Sequence, residues 1–220
     1  MMKFFSKRKT AIDQPQKKKS QIRDWSEALI VAAVLALIIR TFVVQAFKIP
    51  SGSMEDTLLI GDHLLVSKFI YGLQVPFSDE PVLAIRNPER GDIIVFEFPE
   101  DKGKSYFQRR DFIKRVVGLP GDKIEIRSKN VYVNDERYLT PEAVYKDGTL
   151  TAGPRDNMAA VTVPEHKYFV MGDNRDRSYD SRFWGFVDRS VIKGRAFIKY
   201  WSWNSEKFMP RWSRIGRMID

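Results

Sequence analysis

The chain has 220 residues and contains no cysteine, and this absence excludes several kinds of chemistry. Without cysteine there are no disulfide bonds and no zinc sites built on thiolates. Histidine is scarce as well, since His63 and His166 are the only two. Few pairings of a nucleophile with a base therefore remain, and a serine with a lysine is one of them.

Basic charge is concentrated at the N-terminus. The net charge is +9, and residues 1–24 contribute +6 of it through eight basic and two acidic side chains. The rest of the chain is only weakly basic, so no nucleic-acid partner is expected. A basic tail beside an apolar run instead fits the positive-inside rule of membrane proteins.

A hydrophobic segment follows this tail. Residues 28–39 (ALIVAAVLALII) are apolar without interruption, and Arg40 is the first charge after them. Because about 20 helical residues span a bilayer core of about 30 Å, we predict one transmembrane helix at 25–41. Residues 1–24 would then be a cytoplasmic tail and residues 42–220 an extracytoplasmic domain. A cleaved signal peptide is the alternative, but no small-x-small site follows closely.

Beyond residue 42, short runs of β-branched and aromatic residues replace the helical pattern. Turn residues separate these runs, which lie at 64–66, 92–98, 123–126, 130–133, 167–171 and 197–203. They predict a mostly β protein with an antiparallel sheet. The weaker patterns after residue 137 predict a small inserted β region or long loop, within about 123–167.

The segment at 50–54 (PSGSM) is a candidate for the nucleophile. Gly52 permits a sharp turn that presents the Ser53 hydroxyl, and Ser51 can supply a second hydrogen bond to an oxyanion. The same residues fit a helix N-cap at Ser53, with the acidic Asp56 three positions later. The local sequence leaves both interpretations open.

Lys114 is a candidate for the base. In a strand, Phe112, Lys114 and Val116 share one face, so the amine has apolar neighbours. Burial lowers the pKa of a lysine from about 10.4, and the neutral amine can then accept a proton from a serine. The alternative is a lysine at a sheet edge with its amine in water. His63 is a weaker candidate, because the adjacent Asp62 is poorly placed to orient its ring.

Four blocks of the chain resemble, in order and spacing, the signature motifs of bacterial type I signal (leader) peptidases. They are 49–54 (IPSGSM), 91–96 (GDIIVF), 114–122 (KRVVGLPGD) and 172–182 (GDNRDRSYDSR). The resemblance implies that Ser53 is the nucleophile and Lys114 the general base. The Ser51 hydroxyl and the Ser53 amide would form the oxyanion hole. It also implies a hydrogen bond from Ser178 to the lysine and a structural ion pair between Asp180 and Arg182.

The fold and function implied by this resemblance are those of a membrane-anchored serine endopeptidase with an antiparallel β-sheet catalytic core. It would remove N-terminal signal peptides from exported preproteins through an acyl-enzyme, cleaving after Ala-x-Ala-like sites, without a metal or organic cofactor. It would be a single-pass protein of the bacterial cytoplasmic (inner) membrane. Arg177 departs from the usual asparagine of the family, which affects the electrostatics of that loop.

Two other functions are consistent with parts of the sequence. A self-cleaving Ser/Lys protease of the SOS-repressor type would need an N-terminal DNA-binding module, and residues 1–40 offer an apolar helix instead. A non-catalytic, membrane-anchored β domain would bind exported proteins or anionic lipid.

The C-terminal segment also has two interpretations. It either rests on lipid headgroups or belongs to the core or a disordered tail, and its residues are Trp212, Arg211, Arg214 and Arg217. The charged loop at 173–182 also fits a weak carboxylate metal site.

Overall fold

The computed structural model describes residues 21–72 and 84–219. Within them the chain forms a helix α1 (Gln21–Ile38), a π-helical turn (Ile39–Val43), a one-turn helix α2 (Ser181–Trp184) and thirteen strands. The strands are β1 (Val44–Lys48), β2 (Asp62–Ser67), β3 (Ile93–Glu97), β4 (Asp111–Gly118), β5 (Lys123–Arg127), β6 (Asn130–Val133), β7 (Glu136–Arg137), β8 (Met158–Thr162), β9 (Lys167–Met171), β10 (Val187–Asp188), β11 (Ile192–Asn204), β12 (Met209–Pro210) and β13 (Arg217–Met218). The prediction of a mostly β fold is confirmed.

The helix α1 exposes apolar side chains. Leu29, Ile30 and Val31 are each about two-thirds exposed, and Leu35 and Leu37 are exposed as well. In the described parts of the chain, no helix combines the length and the hydrophobicity needed to cross a bilayer. Residues 1–20 of the predicted cytoplasmic tail lie outside the described residues. The chain divides into two compact units, Met1–Ile38 and Ile39–Asp220.

The main sheet is antiparallel, with the strand order β1-β2-β11-β3-β4-β9-β10. The short strands β12 and β13 add to β11, which at 13 residues is the longest strand in the described residues. The predicted last strand at 197–203 therefore covers only the second half of β11. The C-terminal segment is paired with the sheet, and its alternative interpretation as a disordered tail is wrong.

Both faces of this sheet are buried at its centre. On β3, Ile93 and Val95 belong to one hydrophobic cluster, with Leu64 of β2. Ile94 and Phe96 belong to another cluster on the opposite face. Burial on both faces explains why residues 93–96 are all apolar instead of alternating with polar residues.

A second, four-stranded sheet lies within the range where the sequence predicts the inserted β region. Its order is β7-β6-β5-β8, again antiparallel. Ile124 and Ile126 of this sheet form a third cluster with Val117, Phe169 and Met171, which belong to β4 and β9. The chain between β7 and β8 contacts the loop after β9 through an isolated bridge between residues 144 and 174.

Candidate active site

Ser53 lies in a series of turns after β1. No helix begins at this residue, because residues 53–57 are all in turns, so the interpretation as a helix N-cap is wrong. The side chains of Met54 and Leu58 are fully buried and hold the segment to the core. The Leu58 amide donates to the Met54 carbonyl at 2.8 Å, which closes the turn.

Lys114 lies in the interior of the main sheet. Its strand, β4, runs between β3 and β9, and Lys114 is paired with Ile94 of β3. Phe112 and Val116 contact the same hydrophobic cluster as Ile94, as the alternation of the strand predicts. Only 4% of Lys114 is exposed. The alternative of a sheet-edge lysine with its amine in water is therefore wrong.

The Lys114 amine contacts the Ser53 hydroxyl. Nζ and Oγ are 2.8 Å apart, within hydrogen-bond distance, although the two residues are 61 positions apart in the chain. Nζ also donates to the Ile113 carbonyl at 3.0 Å. The Phe112 ring centroid is 5.4 Å from Nζ. The amine is thus held by one carbonyl, one ring and the hydroxyl it is expected to deprotonate.

Burial changes the protonation of this amine. Removal from water lowers the pKa of Lys114 from 10.5 to about 8, although the charges of Asp180 and Asp173 act in the opposite direction. With a pKa of about 8, roughly a tenth of the amines are neutral at pH 7, compared with about 4 in 10,000 for an exposed lysine. A fraction of the Lys114 amines is therefore able to accept a proton near neutral pH.

The loop that follows β9 clamps the serine turn. The Asn174 amide donates to the Ser53 carbonyl at 3.2 Å, and Asn174 Nδ2 donates to the Gly52 carbonyl at 3.1 Å. Gly172 approaches the same turn so closely that a Cβ atom there would collide with the Ser53 carbonyl oxygen and the Ser178 side chain. Sequence reasoning did not assign a role to Gly172 or Asn174.

A buried ion pair connects this loop to the strand of the lysine. Arg115 donates through Nε and Nη2 to the two Asp173 carboxylate oxygens, each at 2.9 Å. Thr57 Oγ1 donates to the same carboxylate at 2.7 Å, which joins the serine turn to the pair. Sequence reasoning missed this network. The sequence feature that could have revealed this network is Arg115, because a charged side chain among the buried positions of β4 requires a buried partner.

Asp180 and Arg182 form a second buried ion pair. Arg182 Nε and Nη2 donate to the Asp180 carboxylate at 2.8 and 2.9 Å, and the Gly172 amide donates to it at 3.0 Å. Burial alone would raise the pKa of Asp180, but the Arg182 charge and these hydrogen bonds hold it below its ordinary value. The pair therefore stays ionised and fixes the loop next to Gly172.

The two other serines predicted for the site differ in burial, since Ser178 is buried and Ser51 is exposed. Ser178 is buried, and within the described residues its hydroxyl has no partner in full hydrogen-bond geometry, so no direct bond to Lys114 is formed. It is nevertheless close enough to Asp180 to contribute to the lowered pKa of that group. Ser51 is exposed, with its Oγ 3.5 Å from that of Ser53.

His63 lies on β2, where its ring packs against Tyr200 with 5.9 Å between the centroids. The basic side chain at hydrogen-bond distance from the Ser53 hydroxyl is that of Lys114, at 2.8 Å.

Some of the other charged groups singled out in the sequence have structural partners. Asp176 pairs with Lys129 at 2.8 Å, and in the described parts of the chain no cluster of three metal-ligating side chains occurs. Arg214 donates to the fully buried Asp62 at 2.7 Å, and Arg211 to the Trp203 carbonyl at 2.8 Å. These two arginines therefore stabilise the core. Trp212 is 70% exposed.

Fold and site together define a class of antiparallel β-sheet protein that holds a serine hydroxyl against a buried lysine amine. Comparison with known proteins then identifies the family. The family model "Signal peptidase, peptidase S26" matches residues 22–201, so the chain belongs to the signal peptidase family.

Individual proteins of this family are similar over most of the chain. A probable signal peptidase I-2 of Synechocystis sp. is 42% identical over 179 residues, which cover 80% of this chain and 71% of that protein. Signal peptidase I of Pseudomonas aeruginosa is 34% identical over 240 residues, with 94% and 82% covered. A signal peptidase I from Enterococcus faecalis, known from a crystal structure, has 32% sequence identity to this chain. The match covers 50% of this chain and 97% of the Enterococcus chain, with a TM-score of 0.40.

Family membership confirms the predicted enzyme class, a serine endopeptidase, and its predicted function, the removal of signal peptides from exported proteins. It excludes the two other functions considered for the sequence, a self-cleaving repressor and a non-catalytic β domain.

Proposed function

We propose that this endopeptidase cleaves signal peptides with a catalytic dyad of Ser53 and Lys114. The observation that carries the proposal is the 2.8 Å contact between the Lys114 amine and the Ser53 hydroxyl in a site that excludes water from the amine. Neutral Lys114 accepts the proton of Ser53 as the serine oxygen attacks the scissile carbonyl. The protonated amine then donates to the leaving amine, and an ester links the substrate to Ser53. Water, deprotonated by the same lysine, hydrolyses this ester.

The Ser51 hydroxyl and the Ser53 amide are the proposed donors to the oxyanion. Two observations support this assignment. The Ser51 hydroxyl lies near the nucleophile and is exposed, and no acceptor in the described residues takes the proton of the Ser53 amide. Both donors are therefore available to a substrate, as oxyanion stabilisation requires.

Ser178, Asp180 and Arg182 are proposed to support the lysine. The ion pair of Asp180 with Arg182 holds the loop, and its carboxylate lies near enough to act on the charge of Lys114. Ser178 is proposed to hydrogen-bond the Lys114 amine after a change of rotamer. A buried hydroxyl that has no partner in full hydrogen-bond geometry favours such a bond.

The proposed location is the bacterial cytoplasmic membrane, with residues 25–41 as a single-pass anchor and residues 1–24 in the cytoplasm. The exposed apolar side chains of α1 and the +6 charge of residues 1–24 support this topology. The catalytic domain would then meet preproteins on the outer side of the membrane and cleave them after Ala-x-Ala-like sites. Lipid would be its second partner.

The dyad is tested by measuring cleavage of a labelled preprotein in detergent. We expect Ser53→Ala and Lys114→Met each to lower kcat by about 10⁴-fold or more, because each removes an obligatory participant. Ser51→Ala should retain the dyad and lose about 10²–10³-fold in kcat, as expected for one oxyanion donor. Lys102→Met, which changes an exposed lysine, is the matched control. Near-normal cleavage by either dyad variant would disprove the assignment.

A further inference from the structure

Within the described residues, two nitrogens of the Arg175 guanidinium are buried and have no hydrogen-bond partner. They are Nε and Nη2, and the residue as a whole is 3% exposed. An arginine remains charged in proteins, and an unpaired buried charge is strongly unfavourable. The neighbouring charges of the same loop are satisfied, since Asp173 binds Arg115 and Asp176 binds Lys129. The Arg175 guanidinium is therefore a candidate to bind an anion from outside the chain.

The buried charges around Arg175 do not balance. The charged groups acting on it include Asp173, Asp180 and Arg182. Each of the two carboxylates is already bound by an arginine, Asp173 by Arg115 and Asp180 by Arg182. Three buried guanidinium groups thus face two buried carboxylates. The half-buried Glu142 lies 4.0 Å from Arg115.

Arg175 belongs to the lining of a cavity of about 100 Å³. The lining also includes Arg137, Asn130 and Thr140, together with the rings of Tyr138 and Tyr145. The Thr140 hydroxyl is also buried and has no partner within the described residues. This space is large enough for a compact oxyanion.

We propose that this cavity binds a carboxylate or phosphate group, with Arg175 as the cation and the Thr140 hydroxyl as a second donor. The planar guanidinium matches both oxyanions through paired N–H groups. The source is either free inorganic phosphate or the terminal carboxylate of a peptide.

The site is adjacent to the loop that clamps the serine. The Arg175 amide donates to the Val144 carbonyl at 2.9 Å, and the Val144 amide donates to the Asp173 carbonyl at 2.7 Å. Asn174, the residue between, binds the Ser53 carbonyl. A bound anion would therefore stabilise both the loop after β9 and the segment around Val144 that is hydrogen-bonded to it.

Thermal unfolding of the full chain in detergent tests the proposal independently of catalysis. Titration with inorganic phosphate should raise the melting temperature by about 3–5 °C for each tenfold increase above the dissociation constant, compared with chloride at equal ionic strength. Arg175→Met should abolish the response. Arg177→Met, which removes the same charge from an exposed position of the same loop, should keep it.

Further arms identify the source and protect against a variant that fails to fold. Thr140→Val, a change of similar shape, should weaken the response to phosphate. N-acetylglycine should stabilise the protein more than phosphate if a peptide carboxylate is the natural ligand, and N-acetylglycinamide should have no effect. The proposal is overturned if the wild-type protein responds neither to phosphate nor to N-acetylglycine beyond chloride, or if Arg175→Met responds as the wild type does.

Discussion

At the scale of single residues, burial of the Lys114 amine lowers the stability of the folded protein. The pKa falls from 10.5 to about 8 on burial, which corresponds to about 3 kcal/mol of lost stability at neutral pH. The sign follows from linkage. The folded pKa lies below the unfolded one, so the unfolded chain binds more protons between pH 8 and 10.5, and stability due to this group rises with pH across that window. The fold tolerates this cost because neutral amine is what the proposed mechanism requires.

The pH dependence of cleavage should report the same group. Because only neutral Lys114 accepts the proton, we expect kcat/KM to rise with pH and to level off above a pKa of about 8. The measurement is initial cleavage rates between about pH 5.5 and 9.5. His63→Ala is the control and should leave this rise in place. If the rise shifted or vanished in that variant, His63 and not Lys114 would be the base.

At the scale of structural elements, the loop after β9 positions Ser53, the proposed nucleophile. It contacts the serine turn through Asn174 and through Gly172, where the backbone is too close for any side chain. Two ion pairs hold this loop, one to Arg115 of β4 and one between Asp180 at the end of the loop and Arg182 of α2. The turn, the loop and the strand of the lysine thus form a connected unit.

Gly172→Ala tests this unit. The added Cβ must displace the Ser53 carbonyl, so we expect kcat/KM to fall about 100-fold as the nucleophile moves away from the amine. Gly103→Ala is the matched control, because a Cβ there has open space. Both variants are compared by cleavage kinetics and by cooperative unfolding. A Gly172→Ala enzyme with unchanged kinetics would contradict the role given to this close approach.

At the scale of the whole molecule, the two units of the chain have separate proposed tasks. The unit Ile39–Asp220 contains the sheets and the site, whereas α1 exposes apolar side chains. We expect that deletion of residues 1–38 preserves cleavage of a short soluble peptide and abolishes sedimentation with membranes. Fractionation after alkaline carbonate extraction checks this outcome. Persistent membrane association of the truncated protein would instead assign the anchor to the exposed Trp212 region.

Several contacts of the site were not predictable because they join distant parts of the chain. Arg115 and Asp173 are 58 residues apart, and the pattern around either one does not specify the other. Gly172 is a similar case. No side chain fits at this position, because the turn that contains Ser53, more than 100 residues earlier in the chain, lies against its backbone. Alternation along a strand, by contrast, is local, and it placed Lys114 on the correct face with Phe112.

The sequence by itself determined the β-rich class and named the two candidate reactive side chains, because residue type and short periods are local properties. Only the tertiary structure decided that Ser53 lies in a turn and not at a helix cap, and that the Lys114 amine is buried 2.8 Å from its hydroxyl. Burial and proximity depend on the packing of strands far apart in sequence. No local pattern can therefore set the distance or the pKa on which a serine and a lysine depend to react.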